Sequence, residues 1–196
     1  MSAVRILVVS GSIRTGSFNT RLAAVAAKQF ALAGVDVTRL SLADYPLPLY
    51  DADLEAQSGL PAAAVDLKRQ FGAHQGVLLV TPEYNASVPP LLKNAIDWVS
   101  RVRERGEPPL EVFRDRAYAI ASASDAPFGG LRALMALRQI LTLGCGATVI
   151  AQQFALSGVS HAFDDDDRLM QSRDSEGLAA VVRQLIDFAQ AMSEGR

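Results

Sequence analysis

The sequence predicts an α/β fold with a doubly wound, five-stranded parallel sheet, strand order 2-1-3-4-5 and helices on both faces. Short apolar runs alternate with helical patterns along all 196 residues, and no linker, repeat or low-complexity segment interrupts them. Such alternation favours a parallel sheet, because each crossover helix returns the chain to the same edge. The length and a hydrophobic content of 49% suit one domain over residues 1–196 with a sizeable core.

The predicted strands are short and rich in Val, Ile, Leu or Ala. The first, RILVVS, and the third, GVLLVT, are almost entirely apolar, as expected of strands that are covered on both faces. The second, VDVTRL, alternates between apolar and polar residues and is predicted to be less buried. The strands are placed at residues 5–10, 35–40, 76–81, 116–123 and 147–156.

Helical spacing of apolar residues, with proline or glycine near the ends, predicts five helices. Proline is tolerated in a first helical turn, which places helix starts at Pro61 and at Pro89 or Pro90. Gly34 and Gly144 follow helical patterns and are predicted to end them. The helices are placed at residues 17–33, 61–71, 90–100, 129–143 and 178–192.

Composition argues against several classes of function. The net charge of −2, with scattered Lys and Arg, indicates neither a nucleic-acid partner nor a membrane surface. The apolar run that ends at Ser10 is too short for a signal peptide or a membrane span. Cys145 is the only cysteine, and its apolar context indicates a buried packing role. His74 and His161 lie far apart, so no metal site is expected, and a cytoplasmic protein is predicted.

In the predicted strand order the ligand crevice opens between strands 1 and 3, so the loops after these strands should carry the chemistry. The first loop, SGSIRTGSFNT, combines two glycines, four hydroxyl side chains beyond Ser10 and one arginine at a helix start. Backbone N–H groups at a helix N-terminus and an arginine suit a phosphate dianion. Neither a G-x-G-x-x-G nor a G-x-x-x-x-G-K-[ST] pattern is present, which favours a monophosphate such as FMN over ATP. The alternative is an ordinary helix start capped by Ser17.

The loop after the third strand reads PEYNASVPP. An aromatic and amide-rich turn at this place can lay backbone N–H groups along the edge of a flat heterocycle. The alternative is a proline-rich turn that starts a helix, with Asn85 and Ser87 as caps. Its predicted position opposite the phosphate loop favours the ligand-binding interpretation.

Together the two motifs resemble the NADPH-dependent FMN reductase family, which includes quinone, chromate and azo-dye reductases. A family-like G-S-x-R-x-x-S-x-N is matched between Gly11 and Asn19, and P-E-Y-N-x-S-x-P-x-x-L-K-N-A-I-D-W is matched throughout, ending at Trp98. The segments SASDAPFGGLRALMALRQIL and FDDDDRL extend the resemblance over nearly the whole chain. It implies a flavodoxin-like fold. One departure is SDAPF before Gly-Gly at 124–128, where the family usually has a compact Ser-Pro-Gly.

The resemblance implies which residues hold FMN. The phosphate is expected in the first loop, at Ser12, Arg14, Ser17, Phe18, Asn19 and Thr20. The isoalloxazine ring is expected to lie, mostly through backbone contacts, along Pro82, Glu83, Tyr84 and Asn85. From the third loop, residues 122–130, Ser122 and Gly129 are expected to approach the ring or the ribityl chain. No side chain is expected to act as a catalytic acid or base, because the cofactor carries the chemistry.

The function that the resemblance implies is that of an NAD(P)H-dependent oxidoreductase. NADPH or NADH would reduce bound FMN, which would then reduce a small-molecule acceptor such as a quinone, a flavin or an azo compound in a ping-pong scheme. One rival is a flavodoxin-type electron carrier without a dinucleotide site, although flavodoxins usually have a Thr-rich phosphate loop and a strongly acidic surface. Another is a non-flavin binding domain on the same fold.

The resemblance also implies a homodimer or a homotetramer, with contacts through the helix at 90–100 and the connection at 41–60. That connection is predicted to be a long loop, and loops of this length are often functional or interfacial. Its apolar and aromatic stretch, YPLPLY at 45–50, is expected to be buried against a partner or against the body of the chain.

Overall fold

The sheet of the computed structural model, which describes residues 4–195, has parallel strands in the order β2-β1-β3-β4-β5, with a further strand, β6, also paired with β4. This confirms the predicted α/β fold and strand order. The strands are β1 (Arg5–Ser10), β2 (Asp36–Ser41), β3 (Gly76–Val80), β4 (Ala117–Ala123), β5 (Thr148–Val149) and β6 (Phe154–Leu156). One domain over residues 1–196 stays a prediction, and residues 1–3 and 196 lie outside the described residues.

Helices cover both faces of this sheet. They are α1 (Phe18–Leu32), α2 (Ala52–Ser58), α3 (Ala62–Gly72), α4 (Pro90–Arg101), α5 (Glu111–Arg114), α6 (Leu131–Gln139) and α7 (Ser172–Glu194). No helix within residues 4–195 is both long and apolar enough to cross a membrane.

Burial along the strands follows from the strand order. β3 and β4 are buried throughout because they lie inside the sheet under helices on both faces, whereas edge strand β2 is largely exposed. Alternate side chains of β1 point to opposite faces, so Ile6 packs in the core under α1 and α7, and Leu7 in the core under α3 and α4. Burying one such aliphatic side chain stabilises the fold by about 1.5–3 kcal/mol. The two cores together therefore hold the strands in this order, which decides which strand ends lie next to each other.

Two predicted elements at the β5 edge are wrong in extent. The predicted strand at 147–156 is interrupted between β5 and β6, where the Arg138 guanidinium donates to the carbonyl oxygens of Val149 (3.4 Å) and Ile150 (3.0 Å). The predicted helix at 129–143 begins only after Gly130, because Gly129 and Gly130 have φ values of +58° and +88°. It ends as α6 at Gln139 and continues as a π-helical turn, Ile140–Gly144.

The predicted loop at 41–60 contains a 3₁₀ turn, Leu42–Asp44, and helix α2. Asp51 caps α2, since its carboxylate accepts from the N–H groups of Asp53 (2.8 Å) and Leu54 (3.4 Å). Helix α5 was not predicted, and α7 starts six residues before the predicted position 178.

The apolar stretch at 45–50 packs against α4 of its own chain. The carbonyl oxygen of Pro48 accepts from Asn94 Nδ2 (2.8 Å) and Trp98 Nε1 (2.7 Å). The ring of Tyr50 meets that of Trp98 edge to face, with centroids 5.1 Å apart. Tyr45, Leu47 and Tyr50 are thus half-buried against the body of the chain, whereas Leu49 remains 78% exposed.

Candidate cofactor site

Three loops meet at the carboxyl edge of the sheet, as expected for the crevice of this strand order. They are the first loop (residues 11–17, after β1), the second loop (81–89, after β3) and the third loop (124–130, after β4). Ser122, expected in the third loop, belongs to β4. Backbone hydrogen bonds join their bases, from Gly11 N to Val80 O (2.7 Å) and from Thr81 N to Ala121 O (2.8 Å). A cavity of about 290 Å³ lies between the first and second loops and is lined by Ser12, Arg14 and Tyr84, among others.

The first loop leads into the N-terminus of α1, which has no side-chain cap. Ser17 is the N-cap residue of α1 and is 3% exposed, yet its hydroxyl makes no capping hydrogen bond, and the first turn contains no acidic residue. The N–H groups at this end and the positive end of the helix dipole therefore have no anionic side chain to satisfy them. Arg14 is exposed, and its guanidinium donates to the Thr15 carbonyl oxygen (3.2 Å). These donors fit a phosphate group.

Hydroxyl groups hold the shape of this loop. Thr20 Oγ1 lies 3.3 Å from the Ser12 carbonyl oxygen, to which it donates, and 3.1 Å from Ser10 Oγ. The Ser12 hydroxyl accepts from the N–H of Arg14 (3.4 Å), which leaves its own hydrogen free to donate to a ligand. Gly16 has φ +69° and faces open space, so this part of the loop has room for a ligand beside it.

Asn19 links the start of α1 to the end of β4. It is 4% exposed, and its amide donates to the Ala123 carbonyl oxygen and accepts from the Ala123 N–H, both at 2.9 Å. Its neighbour Phe18 is half-buried against the core beside α1. Asn19 therefore fixes the distance between the start of α1 and the end of β4, a role that sequence reasoning missed.

The second loop turns through left-handed backbone. Tyr84 and Ser87 exchange backbone hydrogen bonds of 2.9 and 3.0 Å, while Asn85 and Ala86 between them have φ values of +50° and +64°. This conformation costs a residue such as Ala86 about 1–3 kcal/mol, and such strain concentrates at ligand sites. The turn leaves the backbone N–H groups of Asn85 and Ala86 without a hydrogen bond among residues 4–195. The Tyr84 side chain is half-exposed beside them.

Glu83 points its side chain away from this turn and caps α6. Its carboxylate is 6% exposed and accepts from the N–H groups of Arg132 (3.1 Å) and Ala133 (3.3 Å), and from Arg132 Nε (2.8 Å). Gly130, the N-cap residue of α6, has no side chain to do this. Only the backbone of Glu83, like that of half-buried Pro82, remains available to a ligand in the crevice.

Glycine is required where the third loop crosses β6. A Cβ atom on Gly129 would lie 2.7 Å from the carbonyl carbon of Leu156, and one on Gly130 would lie 2.8 Å from Ser122 Oγ. Ser122 is fully buried and donates to the Gly129 carbonyl oxygen (2.6 Å). Ser122 and Gly129 thus shape the loop, and their contact with a ligand stays a prediction.

The segment SDAPF at 124–128, which departs from the family pattern, anchors the third loop through Asp125. The Asp125 carboxylate accepts from the N–H (2.8 Å) and the hydroxyl (2.6 Å) of Ser160, and chiefly the hydroxyl bond holds the pKa of Asp125 below its usual range. This contact ties the third loop to the segment after β6. The loop also presents Phe128, whose side chain is 65% exposed.

Away from the crevice, Cys145 is buried as predicted, and desolvation raises the pKa of its thiol to about 11. A neutral buried thiol acts as a small apolar side chain.

The chain is similar to several known proteins over most of its length. Residues 4–161 match the family described as NADPH-dependent FMN reductase. A quinone reductase of Escherichia coli (strain K12) is 42% identical over 139 residues, 70% of this chain and 69% of that protein. An NAD(P)H-dependent FMN reductase of Pseudomonas aeruginosa is 37% identical over 175 residues, 88% of each. The solved structure of the flavoenzyme NAD(P)H:(acceptor) oxidoreductase FerB from Paracoccus denitrificans superposes with a TM-score of 0.80 at 26% identity, covering 96% of this chain and 98% of that one.

Proposed function

The chain belongs to the NADPH-dependent FMN reductase family of oxidoreductases, and we propose that it uses NADPH or NADH to reduce a quinone, flavin or azo compound. One observation carries the proposal. Arg14, in the loop that leads to the uncapped start of α1, lies across a cavity from Tyr84, which begins a strained turn whose two N–H groups have no hydrogen bond within residues 4–195. A phosphate and a flat polar ring, joined by a short linker, need this combination.

The first loop would bind the phosphate of FMN. Ser12 and Ser17 have hydroxyl hydrogens to donate, Arg14 supplies a charge-assisted donor, and the first turn of α1 supplies backbone N–H groups. The buried bond between Asn19 and Ala123 keeps this loop at a fixed distance from the third loop. The phosphate would then anchor the cofactor at one end of the crevice.

The second loop would hold the edge of the flavin ring through the N–H groups of Asn85 and Ala86. When bound, FMN would supply the redox chemistry of a ping-pong scheme, the transfer of a hydride equivalent from a reduced nicotinamide to the acceptor. N–H groups that are already oriented stabilise developing negative charge without further reorganisation. The Glu83 carboxylate is occupied by α6 and Arg132, so we assign it no proton transfer.

We also propose that the protein is a homodimer or a homotetramer, with contacts through α4 and the 41–60 connection. The family resemblance supports this, and Leu49 on that connection leaves an apolar side chain 78% exposed. Light scattering coupled to gel filtration tests it, since a monomer alone at micromolar concentration would contradict the proposal.

The absorption spectrum of the protein tests the main proposal. After incubation with FMN and desalting, we expect flavin bands that bleach within seconds when NADPH is added without oxygen and return when a quinone is added. Bands that persist with both NADPH and NADH would indicate an electron carrier instead. Loss of all flavin at micromolar protein would contradict FMN binding. Arg14→Gln is expected to lower flavin retention. Arg5→Gln, at the amino end of β1 and so far from the crevice, is the matched control and should retain flavin.

A further inference from the structure

A second cavity, of about 330 Å³, lies between the first loop and the carboxyl end of β2. It shares Ser12 and Arg14 with the crevice between the first and second loops but extends to the opposite side of the first loop. Its outer wall includes Arg39 from β2 and Asp44 from the turn that follows. No role in the proposed binding of FMN accounts for this wall.

Arg39 is placed to face this cavity by strand register. It pairs with Val8 of β1, whose side chain packs in the core beside α1, and paired residues of neighbouring strands point to the same face. Arg39 is exposed, and neither it nor Arg14 has a carboxylate within 4 Å among residues 4–195. By contrast, Arg21 is paired with Asp167. Two guanidinium groups without acidic partners therefore line one cavity.

We propose that this cavity binds the adenosine 2′-phosphate of NADPH and that Arg39 is the residue that distinguishes NADPH from NADH. The inference rests on the proposed function, because it assigns a site to the nicotinamide co-substrate. Guanidinium groups bind phosphate through paired, charge-assisted hydrogen bonds. In dinucleotide-binding α/β folds of the Rossmann type, an acidic side chain after the second strand binds the free 2′-hydroxyl of NAD, whereas a nearby arginine accommodates the 2′-phosphate of NADP. Arg39, near the end of β2, is an arginine at a comparable place in this fold.

The position of Arg39 separates this site from that of the flavin. Ser12, Arg14 and Thr20, which are assigned to the FMN phosphate, also line the second cavity, so their loss would affect both phosphates. Arg39 lines the second cavity, does not line the first and has no assigned role toward FMN. A charged residue on an edge strand also discourages pairing with another chain. If Arg39 served only that role, its substitution would not change the affinity for any nucleotide. A variant at Arg39 therefore distinguishes the two roles.

The experiment measures nucleotide binding to the FMN-loaded protein by calorimetry, with adenosine 2′,5′-bisphosphate and 5′-AMP as probes. We expect the wild type to bind the bisphosphate at least about ten-fold more tightly, the contribution of a charge-assisted pair. Arg39→Gln should remove this preference without changing the affinity for 5′-AMP, and Arg39→Lys should restore part of it. Arg5→Gln removes the same charge from the opposite edge of the sheet and should keep the preference.

Three results would overturn the inference. They are a wild type that does not prefer the bisphosphate, an Arg39→Gln variant that keeps the preference, and an Arg39→Gln variant that loses its flavin. The last would place the FMN phosphate at Arg39. Failure of the wild type to retain FMN would instead contradict the proposed function, and the flavin spectrum recorded before titration distinguishes the two failures. The ratio of kcat/KM for NADPH to that for NADH, expected to fall about ten-fold in Arg39→Gln, is a second readout.

Discussion

Helices α1 and α6 both begin at the carboxyl edge of the sheet, but their N-termini are satisfied in opposite ways. At α6, the Glu83 carboxylate from the second loop accepts from two backbone N–H groups of the first turn. At α1, the N-cap hydroxyl of Ser17 makes no capping bond, and no acidic side chain stands in the first turn. The fold therefore neutralises one helix dipole internally and leaves the other open.

The difference indicates where an external negative charge belongs. An N-cap hydrogen bond contributes about 1 kcal/mol, so a buried Ser17 that forgoes it leaves stability unused. A phosphate at this position would recover that energy and use the dipole of a 15-residue helix. The capped α6 supplies no comparable anion site, although it too follows a loop at the carboxyl edge of the sheet.

The largest expected effect comes from making α1 resemble α6. Ser17→Asp places a capping carboxylate where the phosphate is expected, so the affinity for FMN should fall at least about 100-fold through like-charge repulsion. The same cap should keep the free energy of unfolding of the FMN-free protein within about 1 kcal/mol of the wild type. Fluorescence titration with FMN and urea unfolding measure the two quantities.

Ser17→Ala is the matched control, because it removes the hydroxyl without adding a charge and should weaken FMN binding only about ten-fold. If Ser17→Asp bound FMN as tightly as the wild type, the phosphate would not lie at the start of α1.

The reverse change, removal of the α6 cap, should act on stability. Glu83→Ala leaves two N–H groups of α6 without their acceptor, and we expect a loss of about 2–3 kcal/mol in urea unfolding. Most of this loss of stability comes from the hydrogen bonds that the two backbone N–H groups of α6 donate to Glu83. The ion pair with Arg132 contributes little, because the Arg132 side chain is 55% exposed and solvent screens the pair. Glu83→Gln keeps an acceptor and should lose less.

Glu176→Ala, which removes an exposed carboxylate with no such bonds, is the control and should change stability by less than about 0.5 kcal/mol. A Glu83→Ala variant as stable as this control would mean that the carboxylate does not cap α6.

Local patterns were sufficient to predict most of the sheet. The buried strands β1 and β3 are apolar runs, and the order of the strands follows from their alternation with helices. The meeting of the first and second loops follows from that order, without any knowledge of side-chain contacts. Helix α2 was not predicted, although Asp51 before ADLEAQS and Gly59 after it are cap signals that indicate a helix there.

What could not be predicted depends on contacts between residues distant in sequence. Nothing near Glu83 shows that its carboxylate reaches Arg132, and nothing near Asn19 shows that its amide binds Ala123. The break between β5 and β6 is stabilised by Arg138, from another element. Helix α5 has four residues, too few for a helical period to show.

The smallest expected effect concerns the third loop, which leads into the capped α6. Because hydrogen bonds from Ser160 lower the pKa of Asp125 in the folded protein, their contribution to stability is fully present above the ordinary aspartate range. It is lost as the pH falls through the lowered pKa of the folded state. The melting temperature of the wild type should therefore exceed that of Asp125→Asn near neutral pH, and the difference should shrink between about pH 5 and about pH 2.

Asp165→Asn removes an exposed carboxylate that lacks these two bonds and serves as the control for the loss of one charge. The difference in melting temperature between the wild type and Asp125→Asn should not stay constant through the acid range. A constant difference would contradict the assignment, because the hydrogen bonds from Ser160 favour the ionised form of Asp125 in the folded protein. If the contact is confirmed, the third loop is held by a charged group at Asp125 and by neutral bonds at Ser122. Acid would then loosen its outer end while the glycines that lead into α6 stay in place.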